Sequence, residues 1–399
     1  MLLPEQEILN NLVARVFRIE DVTLGDPKKG FITRYHGHLL LEDSAEAYDK
    51  LAESLRPYEI TPLFRLEQGR QVIYLMAGVA RPPRSNSMVS LLLFIVTLVS
   101  VLLTGALYDF QGPLPTDPLS LAKSILLNLY RGWPFAASML GILTAHEFGH
   151  YLAGRYHKTA VSLPYFIPMP IISPLGTMGA FIQLKEPPKN RRILLDIAIA
   201  GPLAGLVVAV PVLLYGLSLS PVGPLSAPQG GLVTLKGNSI LYLLAKFFVH
   251  GEWLPAPASY GGLPPILYWI RYFFTGQPIP LGGRDVLLNS VAWAGWAGLL
   301  VTAMNLIPAG QLDGGHILYV LLDKHMRKLL PYILVALVGL GFFWSGWWIW
   351  AVLLFTLGRA HAEPLDQITP LDPRRKALAA LMLVIFVLVF IPVPLMAYG

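Results

Sequence analysis

Trp133-Pro134-Phe135-Ala136-Ala137-Ser138-Met139-Leu140-Gly141-Ile142-Leu143-Thr144-Ala145-His146-Glu147-Phe148-Gly149-His150-Tyr151-Leu152 is an apolar stretch interrupted by two imidazoles and a carboxylate. One helical turn separates residues i and i+4, so His146 and His150 share a face and can hold one metal ion. Glu147 lies about 100° further round. From there it can act as general base toward a water activated by that metal. The bland reading is a chance match to a short pattern. Against it stands the cost of placing such groups in a membrane-length apolar segment unless they serve a site.

The rest of the chain supports a membrane context. Of its residues 54% are hydrophobic and 14% charged, with a mean hydropathy of +0.56; soluble domains carry about 25% charged residues. The formal charge of +6 is modest. It comes from Lys and Arg at one set of loop ends, which argues against nucleic acid as a partner. There are 0 cysteines, which excludes disulfides and a Cys-ligated zinc site. The first residues, Met1 to Glu7, resemble neither a secretory signal nor a transit peptide.

Residues 1–84 read as a small cytoplasmic α+β domain. A helix is expected over Glu5–Arg15, then strands over Val16–Leu24 and Gly30–Leu41 across a turn at Asp26–Gly30. Ser44 is the expected N-cap of a helix through Leu55, followed by strands Ile60–Glu67 and Gln71–Met76. Residues 88–399 read as a transmembrane domain with its core at 130–330. Spans are expected over Met88–Tyr108, Pro134–Tyr156, Ile193–Leu217, Val286–Ile307, Leu329–Phe343, Trp347–Leu357 and Ala377–Ala397. The fold class is therefore a polytopic α-helical membrane protein of about seven spans. Arg81 and Arg84 before the first span put the N-terminal domain on the inner side. Val161–Leu184 carries too many prolines for one helix and reads as a re-entrant hairpin beside the site. Ser218–Arg284 is an external region with an interfacial helix at Ser239–Val249.

Catalytic zinc sites usually have three protein ligands. Asp313, in Asn305-Leu306-Ile307-Pro308-Ala309-Gly310-Gln311-Leu312-Asp313-Gly314-Gly315-His316, is the third candidate, because charge topology puts it at a depth similar to the two histidines. Its competing reading is an aspartate stabilised by a helix N-terminus. Weaker features are His36 and His38 on one strand face, His157 and His316 flanking the motifs, and Asp196, expected to pair with Arg191 or Arg192. Trp344, Trp347 and Trp348 are expected to anchor an outer turn at the membrane interface.

HEFGH, GTMGAF (Gly176–Phe181), AGPLAG (Ala200–Gly205) and NLIPAGQLDGG (Asn305–Gly315), in this order and spacing, resemble the site-2 protease family of intramembrane zinc metalloproteases. The likeness covers roughly Met88 to Leu330. It implies that His146, His150 and Asp313 hold one catalytic Zn2+ and that Glu147 is the catalytic acid/base. It further implies that Asn305 helps hold substrate near the metal. Gly176 and Gly179 lie in the hairpin, which either accepts an unwound substrate segment as an added strand or plugs the water path. The chain shows no PDZ-like insert and has an N-terminal soluble module, closer to the plastid-and-bacterial branch. The expected function is hydrolysis of a peptide bond in or near a transmembrane helix of a substrate protein, with the lipid bilayer as the other partner. The expected location is a prokaryotic cell membrane, as a multi-pass protein. Still open are a metal transporter, an inactive scaffold, and a prenyl-protein type of membrane zincin completed by Glu363 or Asp366.

Overall fold

The computed structural model describes residues 4–26, 30–80, 82–83, 85–110, 117–225, 233–357 and 363–398. Met1–Leu3, most of the expected turn (27–29), Arg81 and Arg84 lie outside the described residues.

The N-terminal unit runs α1 (Gln6–Ala14), β1 (Phe17–Asp26), β2 (Phe31–Leu39), α2 (Ser44–Leu55), β3 (Ile60–Glu67) and β4 (Arg70–Ala77). The strands form one antiparallel sheet in the order β1-β2-β4-β3. Alternation decides which face is covered: Phe31, Thr33 and Tyr35 are buried while Ile32, Arg34 and His36 are only half-buried. Leu9, Val13, Tyr48, Leu51 and Leu55 of the two helices pack with Tyr35, Phe64 and Leu75 into one core. Each such aliphatic side chain contributes about 1.5–3 kcal/mol on burial. The buried Tyr35 hydroxyl is satisfied, accepting from Gln6 Nε2 at 3.0 Å and donating to Asn10 Oδ1 at 2.9 Å. The cap of α2 is Asp43, not Ser44: Asp43 Oδ1 accepts from Ala45 N at 3.2 Å. Ser44 is drawn away by tertiary contact, its Oγ lying 2.7 Å from Thr369 Oγ1.

The remainder runs α3 (Ser87–Tyr108), α4 (Pro118–Asn128), α5 (Trp133–Tyr156), β5 (Tyr165–Pro168), β6 (Thr177–Phe181), α6 (Arg191–Ser218), β7 (Val222–Pro224), β8 (Val233–Lys236) and α7 (Ile240–His250). It continues through α8 (Pro265–Thr275), β9 (Arg284–Val286), α9 (Ser290–Asn305), α10 (Asp313–Leu322), α11 (Met326–Leu340), α12 (Gly346–Leu357), α13 (Pro373–Val389) and β10 (Leu395–Tyr398). Among the described residues two helices, α3 and α6, are long and apolar enough to cross a membrane by length and composition. At the centre α6 packs against α5, α9 and α10. Its start is fixed by Asn190, whose side chain accepts from Ile193 N at 3.0 Å. The helix continues through Pro202 and Pro211.

Several expected boundaries move. The helix expected from Val286 begins at Ser290, because Arg284–Val286 pairs with β7 and Asn289 caps α9 through Ala292 N at 2.8 Å. The one expected to reach Ala397 stops at Val389. Pro392 and Pro394 cannot continue it, and Leu395–Tyr398 instead pairs antiparallel with β8. Trp347 is not an exposed anchor: it is 1% exposed and its indole donates to Pro392 O at 2.6 Å. Asp196 pairs with neither Arg191 nor Arg192. Arg375 of α13 reaches it through Nε at 2.8 Å and Nη2 at 2.5 Å, and His157 Nε2 lies 3.0 Å away. Arg191 instead pairs with Asp323 at 2.9 Å, and Arg192, although one turn from Asp196, reaches Asp43 at 3.6 Å and donates to Pro370 O at 2.9 Å.

The two halves are joined by a segment with no signal of its own in the sequence. Residues 365–367 lie as a strand against the edge of β3, with Phe64 N to Leu365 O and Gln367 N to Phe64 O both at 3.0 Å. On their other side Asp366 N donates to Lys189 O at 2.7 Å. The Asp366 carboxylate is fully buried and accepts from Ile368 N at 2.8 Å, from Thr369 N at 3.2 Å and from the Thr369 hydroxyl.

Candidate metal centre

His146 and His150 lie one turn apart on α5, both buried. Asp313 opens α10, which follows the Pro308–Gly310 break after α9. The Asp313 Oδ2 atom lies 3.4 Å from His146 Nε2 and 3.3 Å from His150 Nε2, and the two Nε2 atoms are 3.2 Å apart. Zinc bonds of about 2.0–2.2 Å in a tetrahedron separate neighbouring ligand atoms by about 3.3–3.6 Å. The three donors match that spacing. His150 Nδ1 is 2.7 Å from the Ile197 carbonyl. A carbonyl only accepts, so the ring proton is on Nδ1 and the Nε2 lone pair faces the other two donors. The largely covered Asp313 carboxylate and the inward-facing lone pair of His150 call for a cation between them, and the donor set fits zinc. Among the described residues this is the one such His/Asp/Glu group.

The seat of the rings is cut into α6. A Cβ at Gly201 would lie 2.0 Å from His150 Nε2, and one at Gly205 would lie 3.1 Å from His146 Nδ1. The i,i+4 pair of glycines on α6 therefore faces the i,i+4 pair of histidines on antiparallel α5. In the sequence these glycines stood within the AGPLAG stretch with no role of their own; their matching spacing was the usable signal.

Glu147 is buried and lines the same cavity of about 200 Å3 as both histidines and Asp313. Asn305 closes the cavity, its Nδ2 lying 3.2 Å from His146 Nε2. Gln311 and His316 also line it. Gly176 and Gly179 bracket the start of β6, which pairs antiparallel with β5. Both have positive φ, +71° and +107°, and neither lines the metal cavity; Ala180, Phe181, Ile182 and Leu184 do. The other candidates lie elsewhere. His36 faces a separate cavity with Arg34 and Glu67, His38 is 3.3 Å from Glu20, and Asp366 serves the junction, which leaves it unavailable to complete a zincin site.

Two imidazoles, a carboxylate and an adjacent glutamate in one buried cavity define a metallopeptidase-type centre. The chain belongs to peptidase family M50, whose model matches residues 134–344, just over half of its length. It is 29% identical over 321 residues to "Probable zinc metalloprotease EGY1, chloroplastic" of Arabidopsis thaliana, covering 76% of this chain and 53% of that protein. "Probable zinc metalloprotease EGY2, chloroplastic" of Oryza sativa subsp. indica is 27% identical over 384 residues, covering 94% and 63%. The Arabidopsis EGY2 is 31% identical over 283 residues, covering 70% and 45%. The chain thus spans between 45% and 63% of the length of these relatives. No solved structure gives a significant match. The expected prokaryotic cell membrane is overturned by these relatives, which are described as chloroplastic. Charge bias at loop ends distinguishes the two faces of a bilayer and says nothing about which compartment owns it.

Proposed function

We propose that this chain is a zinc metalloendopeptidase of the site-2 type, which hydrolyses a peptide bond in or near a transmembrane helix of a substrate protein. The observation that carries this reading is the convergence of His146, His150 and Asp313 on one point, with Glu147 in the same cavity. Zinc, when bound, supplies Lewis acidity that polarises the scissile carbonyl and acidifies water. Glu147 takes the proton from that water and delivers it to the leaving amine. Asn305 supplies an amide donor beside the carbonyl under attack. Apolar walls, including Leu194, Ile197 and Ala198, strengthen each of these interactions by excluding water.

The membrane setting is part of the same proposal. The long apolar helices α3 and α6 support it, as do large side chains left exposed along α3, α11, α12 and α13, such as Leu92, Val335, Ile349 and Val387. On this reading about seven helices cross the bilayer, α5 among them. A substrate helix must unwind before attack, since its peptide groups are tied in i to i−4 bonds. The β5–β6 hairpin, whose downstream residues line the metal cavity, is the surface on which the unwound segment would add as a strand.

Glu147→Gln is the test. The variant should keep zinc in its site and lose cleavage of a single-span model substrate in proteoliposomes. Undiminished cleavage by the variant would remove Glu147 from the mechanism.

A further inference from the structure

A cavity of about 780 Å3, larger than the one at the metal, opens between the N-terminal unit and the base of the hairpin. Tyr48, Glu53 and Arg56 of the N-terminal unit form one wall; Lys158, Glu186 and Pro187 form the other. Ion pairs hold α2 over it, Lys189 to Asp49 at 2.8 Å and Arg192 to Asp43 at 3.6 Å.

One stretch of backbone runs from the metal cavity to this cleft. After β6 the chain bonds on one side only: Ser162 N donates to Gln183 O at 3.0 Å and Lys185 N to Ala160 O at 2.9 Å. Peptide groups alternate sides along a strand. At Ile182, Leu184 and Glu186 they therefore face the opposite way. Ala180, Ile182 and Leu184 line the metal cavity, while Glu186 and Pro187 line the cleft. At about 3.3 Å per residue, the edge from Ala180 to Glu186 runs about 20 Å.

We infer that the cleft receives the soluble flank of the substrate, the extended polar segment that adjoins the helix being cut. This rests on the peptidase reading above. A segment laid along the free edge at Ile182 and Leu184 emerges beneath α2. The walls there suit a polar peptide rather than an apolar span. Glu53, Arg56 and Lys158 carry charges of both signs and have no ion-pair partner among the described residues. The N-terminal unit is then a specificity element that reads residues several positions from the scissile bond.

The chain has 0 cysteines, so one introduced thiol is unique. Glu53→Cys in the full-length protein, labelled with a bulky polyethylene-glycol maleimide, plugs the cleft. Glu7→Cys on the exposed side of α1, labelled likewise, is the control. Two substrates share one transmembrane helix; one keeps its soluble flank and the other is truncated just beyond the scissile bond. Plugging should slow cleavage of the flanked substrate about tenfold or more, a barrier increase of about 1.4 kcal/mol, and leave the truncated one unchanged. In the unlabelled Glu53→Cys protein carrying Glu147→Gln, a thiol placed in the substrate flank should also crosslink. Equal slowing of both substrates, or of neither, overturns the inference while leaving the peptidase reading standing. If the unlabelled protein cuts neither substrate, the peptidase reading falls first and takes this inference with it.

Discussion

The Asp313 carboxylate oxygen lies 3.3 Å from His150 Nε2, although the two residues come from helices widely separated in the chain. What brings them together is α6. It packs along α5, where its glycines seat both imidazole rings, and it also packs on α10, whose first residue is Asp313. The Arg191–Asp323 pair ties the start of α6 to the end of α10. The ligand geometry is thus a property of the packed trio and not of any one motif.

Gly201→Ala should therefore damage the site without touching a ligand. Its Cβ would fall 2.0 Å from His150 Nε2 on a ring already fixed by the Ile197 carbonyl. Zinc affinity, measured by titration against a competing chelator, should drop by about 10–100-fold. Gly205→Ala, with 3.1 Å to His146 Nδ1, should cost less. Equal affinities for both variants and wild type would contradict the seating role.

The hairpin can be probed independently of the metal. Gly179 has φ +107° and a Cβ there would meet nothing within 4 Å, so Gly179→Ala tests backbone conformation alone. The strain is about 1–2 kcal/mol. Cleavage should fall several-fold with zinc content unchanged. Unaltered cleavage would count against strand addition by the substrate.

Docking of the N-terminal unit should respond to pH through Asp366. Burial raises its carboxyl above the usual 3.8. An acid whose folded pKa is raised contributes stability that is full below its unfolded pKa, about 3.9, and is lost as pH climbs through the folded value. Thermal melts from acid to neutral pH should show the junction weakening across that window. Asp366→Asn should flatten the slope and be the more stable form at neutral pH. A wild-type protein that gains stability over the same window would contradict this.

Removing the metal should stop the chemistry and spare the fold. The ligands sit on helices whose packing is supplied by Phe135, Leu195, Trp296 and their neighbours. Chelation should abolish cleavage, with helical circular dichroism retained and activity restored by added zinc. Collapse of the helical signal on chelation would show that the site is structural.

How much of this was legible in the sequence depends on the range of the interaction. The His146–Glu147–His150 spacing is local helix chemistry and could be read directly, as could most strands and helices of the N-terminal unit. Asp313 was reachable because its apolar flanks and the charge topology led to the expectation of a depth similar to that of the two histidines. The Ile197 carbonyl and the bridge that residues 365–367 make to β3 were not legible, since each acts through backbone groups whose role exists only after packing. Asp196 took Arg375 over Arg191 and Arg192 because those two are engaged by Asp323 and by Asp43 and the Pro370 carbonyl, contacts that exist only after packing. The strand at Leu395–Tyr398 was hidden by apolar composition, which does not distinguish a helix end from an edge strand when prolines intervene.

X-ray absorption at the zinc edge on the purified full chain tests the central claim most directly. The account predicts one bound zinc with imidazole nitrogens and a carboxylate oxygen at about 2.0–2.2 Å, and loss of the protein oxygen, with much weaker binding, in Asp313→Ala. Full zinc occupancy and an unchanged spectrum in Asp313→Ala would contradict it.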